Sequence, residues 1–156
     1  EEGTPPCNVA FLLSDQEELG CRGAKTASFS IEPQEAIVVD VSFGDTPDIP
    51  SYKTGKLGDG AMIGISPILS PKISNRLKNL GQSLEIPFQP EVMGGATSTN
   101  ADVISISKDG IPCGLISIPL RNMHTPAEVI SIEDVKSVAK LLAAYVLSYG
   151  KENGHD

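Results

Sequence analysis

The sequence predicts an α/β fold: a mixed, largely parallel sheet covered by helices on both faces, a three-layer sandwich. Three observations predict it. Strand-like and helix-like segments alternate along the chain. The strand-like segments are continuous apolar runs, such as Ala36-Ile37-Val38-Val39, as expected of strands buried on both faces. The chain has 156 residues, 40% of them hydrophobic and 21% charged, enough for one globular unit with a core. With no tryptophan and few other aromatics, that core is aliphatic.

Taken in order, Asn8 to Ser14 reads as a first buried strand and Glu18 to Ser28 as a short helix, with Gly20 and Gly23 interrupting the pattern. Ala36 to Ser42 is the next strand. Gly44 to Gly60, rich in Gly, Pro and Asp, reads as a long loop. Ala61 to Ile65 is a further strand. Ser70 and Pro71 then open a helix as N-cap and first helical residue. Its apolar stripe is Ile73, Leu77, Leu80 and Leu84, and Pro87 ends it. Pro87 to Val92 is a short strand. The turn Gly94-Gly95-Ala96-Thr97 leads into a weak helix through Ile106. Cys113 to Ile118 is a strand, and Ser131 with Asp134 has the spacing of a capping box for the last helix. That helix turns Val135, Val138, Leu142, Tyr145 and Tyr149 inward.

The formal net charge of -8 argues against nucleic acid or an anionic membrane as partner. No apolar run reaches transmembrane length. Three cysteines at irregular spacing match no zinc knuckle or CxxC motif and read as reduced intracellular thiols. The acidic, Pro-containing start is unlike a signal peptide, so a cytoplasmic location is expected.

In sheets of this kind ligands sit beyond the carboxyl ends of the strands. That rule selects three places: Asp15-Gln16-Glu17-Glu18 after the first run, Asp40 after Ala36–Val39, and the segment through His124 after Cys113–Ile118. Glu18, Asp40 and His124 are candidate metal ligands, and carboxylates with imidazole suit zinc, cobalt or manganese better than calcium. Glu17, beside Glu18, is free to handle a proton. Taken singly, each residue has a plain alternative: a helix start for the glutamates, a loop cap for Asp40, a turn residue for His124.

Longer motifs go further. Gln16-Glu17-Glu18-Leu19-Gly20-Cys21-Arg22-Gly23-Ala24 resembles the QEE(V/L)GxRGA signature of the TET and glutamyl aminopeptidases, a family whose members are also labelled cellulase M, endoglucanase-like or deblocking aminopeptidase. Val39-Asp40-Val41-Ser42-Phe43 with Asp45-Thr46-Pro47, Leu57-Gly58-Asp59-Gly60, and Ile116 through Val129 (ISIPLRNMHTPAEV) are similar to its other motifs, in family order. The resemblance implies a zinc-peptidase-like fold and a metal-dependent aminopeptidase. Glu17 is then the general base acting on a metal-bridging water. Glu18 and His124 hold one metal and Asp40 the other, the metals being zinc or cobalt, and the substrate is a peptide with a free N-terminus. Family members form homo-oligomers, commonly dodecamers.

The chain departs from that family in three ways. The family's upstream histidine and bridging aspartate have no counterpart, since Asp15 lacks the His-x-Asp context and His155 lies in a polar tail. Asn100 stands where the family has Asp, and Asn122 where it has Tyr. Residues 1–156 therefore read as the C-terminal portion of a catalytic domain, incomplete on its N-terminal side and without the inserted dimerisation domain. Glu1-Glu2-Gly3-Thr4 reads as the end of a helix. The chain alone is expected to hold at most one metal, weakly, and to be inactive. The alternatives are a related metal-dependent deacylase of small N-acyl compounds and a non-catalytic pseudo-enzyme or assembly module.

Overall fold

In the computed structural model, which describes residues 4–47 and 49–152, one mixed sheet lies between two helical layers. The Glu1-Glu2-Gly3 start and the polar tail with His155 lie outside the described residues. The strands are β1 (Ala36–Phe43), β2 (Ala61–Ile65), β3 (Phe88–Val92), β4 (Cys113–Arg121) and β5 (Val129–Ile130). Their spatial order is β1-β4-β2-β3, with β5 beside β4. The helices are α1 (Arg22–Ile31), α2 (Pro71–Ser83), α3 (Ala101–Ile104) and α4 (Ile132–Glu152).

Two parallel pairs make up most of the sheet. β1 runs beside β4 from Ala36 opposite Cys113 to Phe43 opposite Leu120. β2 runs beside β3 from Ala61 opposite Phe88 to Ile65 opposite Val92. The pairs meet antiparallel at Met62–Ser117 and Ile63–Ile116 alone. Because side chains alternate across a strand, β4 sends Cys113 and Leu115 to one face and Ile116 to the other. The first face packs with Val38 against Ala24 of α1 and against Ala101 and Ile104 of α3. The second packs with Ile63 against Ile73 and Leu77 of α2 and Val138, Leu141 and Tyr145 of α4. The three expected layers are present.

Several local expectations need correction. Residues 8–14 form no strand: they have no ladder partner among the described residues, and Phe11 and Leu13 are 91% and 97% exposed. An apolar run becomes a strand only where a neighbouring edge takes its N–H and C=O groups. The first helix begins at Arg22, not Glu18, because Gln16, Gly20 and Cys21 take left-handed φ of 53°, 94° and 54° and wind residues 15–21 into a turn. The helix expected through Ile106 is the single turn α3. In α2, Pro71 does occupy the first turn, but Leu84 lies past the helix end and is exposed. In α4 the inward stripe also includes Leu141, fully buried. The Gly44–Gly60 loop is irregular as expected, apart from a 3-10 turn at Ser51–Lys53.

Asp134 is the largest of these differences. Its carboxylate does not serve its own helix as a capping box would. It accepts the Gly58 N–H at 2.8 Å on Oδ2 and the Gly60 N–H at 2.9 Å on Oδ1, and it is fully buried. The helix start therefore clamps the end of the long loop onto the sheet.

Cys113 is buried in the α1/α3 face, its thiol donating to the Ile111 carbonyl at 3.2 Å. Burial pushes this thiol up to about 12. Since the thiolate is the nucleophile, Cys113 will stay unlabelled by iodoacetamide at pH 8 in the native protein and react only after denaturation. Peptide mapping by mass spectrometry checks this, and native-state labelling of Cys113 would contradict the packing.

Candidate metal centre

The α1/α3 side of the sheet carries the polar residues singled out by sequence. The turn before α1 is tightly bonded. The Glu17 carbonyl accepts from the Gly20 and Cys21 N–H groups at 3.0 and 2.8 Å, and the Gln16 carbonyl from Leu19 and Arg22. Gly20 supplies the left-handed turn at φ 94°. Gly23 is needed for a different reason: its N–H donates to the Asp15 carbonyl, and a Cβ there would fall 2.4 Å from Asp15 Oδ1. With its backbone fixed this way, Glu17 receives the Cys21 thiol on Oε1 at 3.5 Å. Burial first, then the Glu17 bond, raises that thiol to about 11, so it remains a neutral donor.

Glu18 and His124 meet. His124 Nε2 lies 2.9 Å from Glu18 Oε1, with the two side chains 68% and 71% exposed. An ion pair so exposed contributes little to stability, so the contact is not explained as a structural brace. The spacing is close to the ~3.3 Å that separates neighbouring ligands about 2.0 Å from a tetrahedral zinc. The two atoms fit as adjacent donors to one cation. His124 is held in an unusual conformation, φ 61°, and Asn122 beside it has φ 59°. Left-handed backbone at two non-glycine residues is costly and persists where the surroundings enforce it. Here Glu128 Oε1 accepts the His124 N–H at 2.7 Å. Thr125 Oγ1 donates to the Asn122 carbonyl at 2.7 Å, and Asn122 Nδ2 donates to the Ala127 carbonyl at 3.0 Å.

Asp40 does not stand at a strand end. It is the fifth residue of β1, opposite Ser117. Its alternation with Val38 places it on the α1/α3 face. Its Oδ1 accepts the Val41 N–H at 2.8 Å. Burial holds its carboxyl above the ordinary 3.8; the Val41 bond opposes this, and the charges of Glu17 and Glu18 add to it. Asp40 is thus in the same electrostatic neighbourhood as the glutamates. Among the described residues, however, no three His, Cys, Asp or Glu side chains converge as a metal-holding group. The structure joins Glu18 to His124 and leaves Asp40 apart from them.

A carboxyl raised on folding favours the folded state at low pH, and that contribution is lost as pH rises above its ordinary value. The metal-free protein therefore carries Asp40 at a cost at neutral pH. Asp40→Asn is expected to raise the melting temperature of chelator-treated protein at pH 7, and the gain should vanish below about pH 4. A pH-independent difference between the two melting curves would contradict it.

Two contacts escaped sequence reasoning. Asn100 Nδ2 donates to Ser14 Oγ at 3.1 Å, tying the α3 start to the residue before the acidic turn. Glu91 of β3 accepts the Ser117 hydroxyl at 2.7 Å. The only hints were a serine inside an apolar strand and a glutamate in a short one.

Comparison with known proteins is consistent along the chain. Residues 1–141 match the family profile described as M42 glutamyl aminopeptidase. The lysyl aminopeptidase of Pyrococcus furiosus is 34% identical over 142 residues, 91% of this chain and 41% of that protein. The chain therefore spans about two-fifths of that relative's length. An aminopeptidase of the archaeon Desulfurococcus kamchatkensis superposes with a TM-score of 0.77 at 34% identity, over 84% of this chain and 39% of the other. A TET1 peptidase of Pyrococcus horikoshii, described as able to assemble into a tetrahedron or a large octahedral shell, superposes at 0.65 with 26% identity. That match covers 83% of this chain and 38% of the peptidase.

Proposed function

The chain belongs to the M42 glutamyl aminopeptidase family, and on that premise we propose that the full-length protein is a metal-dependent aminopeptidase removing N-terminal residues from short peptides. The observation that carries the reading is the 2.9 Å approach of His124 Nε2 to Glu18 Oε1, two exposed side chains from distant parts of the sequence with no structural reason to meet. In this reading Glu18 and His124 hold one divalent metal and Asp40 a second, with further ligands from the part of the protein outside this chain. Zinc or cobalt, when bound, supplies Lewis-acid polarisation of the scissile carbonyl and lowers the pKa of the attacking water.

The chain's own residues do the rest. The Glu17 carboxylate takes the proton of the attacking water and returns it to the departing amine. The bonds to its carbonyl and the Cys21 thiol fix the direction of its carboxylate. A metal held by Glu18 or Asp40 would also bind the substrate's free N-terminus as the neutral amine, which suits removal of a terminal residue. By likeness to its assembling relative we place the protein in a homo-oligomer. The free thiols at Cys7, Cys21 and Cys113 fit a cytoplasmic setting. This chain by itself, with no group of ligands gathered at Asp40 among the described residues, is inactive in this reading. No helix among the described residues is long and apolar enough to cross a membrane.

The test uses full-length protein and paired substrates, a free-amine aminoacyl anilide and its N-acetyl derivative. Cleavage of the free amine alone, abolished by chelator and restored by zinc or cobalt, is expected. Cleavage of the acylated compound alone would make the protein a deacylase. No cleavage of either with saturating metal would remove the hydrolase reading.

A further inference from the structure

Glu91 is a half-buried carboxylate to which the mechanism above gives no work. It lies on β3, across the sheet from Asp40, and Gly64 of β2 stands opposite it. Alternation puts Glu91 on the same face as Met93, Leu115 and Val38, which is the face that carries Asp40, Ser42 and Ser117. Its Oε2 accepts the Ser117 hydroxyl at 2.7 Å. Burial raises its carboxyl, the Ser117 and Ser42 hydroxyls oppose this, and the charge of Asp40 adds to it. Ser117 is the register partner of Asp40, and Ser42 is two residues further along the same face of β1. One carboxylate thus grips the β4 residue that stands opposite Asp40.

The location matters because the sheet is weakest there. The β1/β4 pair and the β2/β3 pair each have long ladders, but they are joined by two residue pairs, one of which contains Ser117. The backbone alone leaves the two halves free to shear about that short seam. The bond from Glu91 to Ser117 crosses it. We infer that Glu91 is the positioning residue of Asp40, holding β4, and with it the paired β1, in place beneath it through the Ser117 hydroxyl. The inference rests on the reading of Asp40 as a metal-holding residue. Groups that orient metal ligands are commonly worth about 10- to 100-fold in metal affinity.

Cobalt(II) titration of the metal-free full-length protein, followed by calorimetry and by visible absorption, tests this. Glu91→Ala is expected to weaken one of two cobalt sites about 10- to 100-fold and to change its absorption band. Glu91→Gln, which keeps the length of the side chain and an acceptor for the Ser117 hydroxyl, should rescue both readouts. Glu91→Asp keeps the charge but is too short to span the seam, and should behave like the alanine variant. Wild-type titration of Glu91→Ala would overturn the inference. So would rescue by Asp and not by Gln, since Glu91 would then act by charge. If Glu91→Ala does not fold, Ser117→Ala reads the same bond from its other end, and an unchanged titration there also overturns it. A wild-type protein that binds no cobalt would instead sink the metal reading itself. A wild-type protein that binds two cobalts, with Glu91→Ala indistinguishable from it, sinks only the role of Glu91.

Discussion

Glu17→Gln in the full-length protein is expected to lower kcat about 10²- to 10⁴-fold while bound metal stays at the wild-type level. The substitution keeps the shape of the side chain and an oxygen that can still accept the Cys21 thiol, so the bonded turn of residues 15–21 is preserved. What it removes is a group able to accept and return a proton. KM for a free-amine peptide should move little, since the amide occupies the same space. Glu18→Gln and His124→Ala should behave differently, losing metal along with activity, because their side chains meet each other and not the thiol. Metal analysis beside steady-state kinetics separates the two patterns. If Glu17→Gln were as active as the parent, or lost metal as Glu18→Gln does, the division of labour between the adjacent glutamates would be wrong.

Asp134→Ala is expected to destabilise the fold by about 3–5 kcal/mol. Two effects add. Two hydrogen bonds to a charged acceptor disappear, and the Gly58 and Gly60 N–H groups are left facing a fully buried position without an acceptor. For a unit of this size the loss corresponds to a fall in melting temperature on the order of 10 °C. Asp134→Asn should recover part of the loss, since one oxygen still accepts while its NH2 group faces a second donor. Thermal melting of both variants checks the order. A fall of only a degree or two in Asp134→Ala would mean that the 57–60 loop finds other partners. Activity is affected only through stability, because Asp134 does not belong to the metal centre.

The two predictions differ in how far each was legible beforehand. Glu17 could be singled out because its motif is local: adjacent carboxylates, a following Gly-x-x-Gly, and matching segments around Asp40 and His124. Asp134 was visible only as a residue three places after a serine, and local spacing assigned it to the wrong partner. Its actual partners lie 76 and 74 residues away. Glu91 was missed for the same reason, since Ser117 is 26 residues from it. The exposed run Val9–Leu13 shows the reverse error, a pattern read as a strand where no described edge receives it.

By itself the sequence determined the alternation of strands and helices, the Pro71 start of α2, the two covered faces of the sheet, and which residues could do chemistry. These follow from local propensity and from periodicity, both of which act within a few residues. The tertiary structure decided the rest: the β1-β4-β2-β3 order, the two-pair seam, the burial of Asp134 on the loop, and the bond from Ser117 to Glu91. Periodicity records that a side chain will be buried but not against what. A hydrogen bond between distant segments forms only where packing of the whole sheet brings donor and acceptor to the same point.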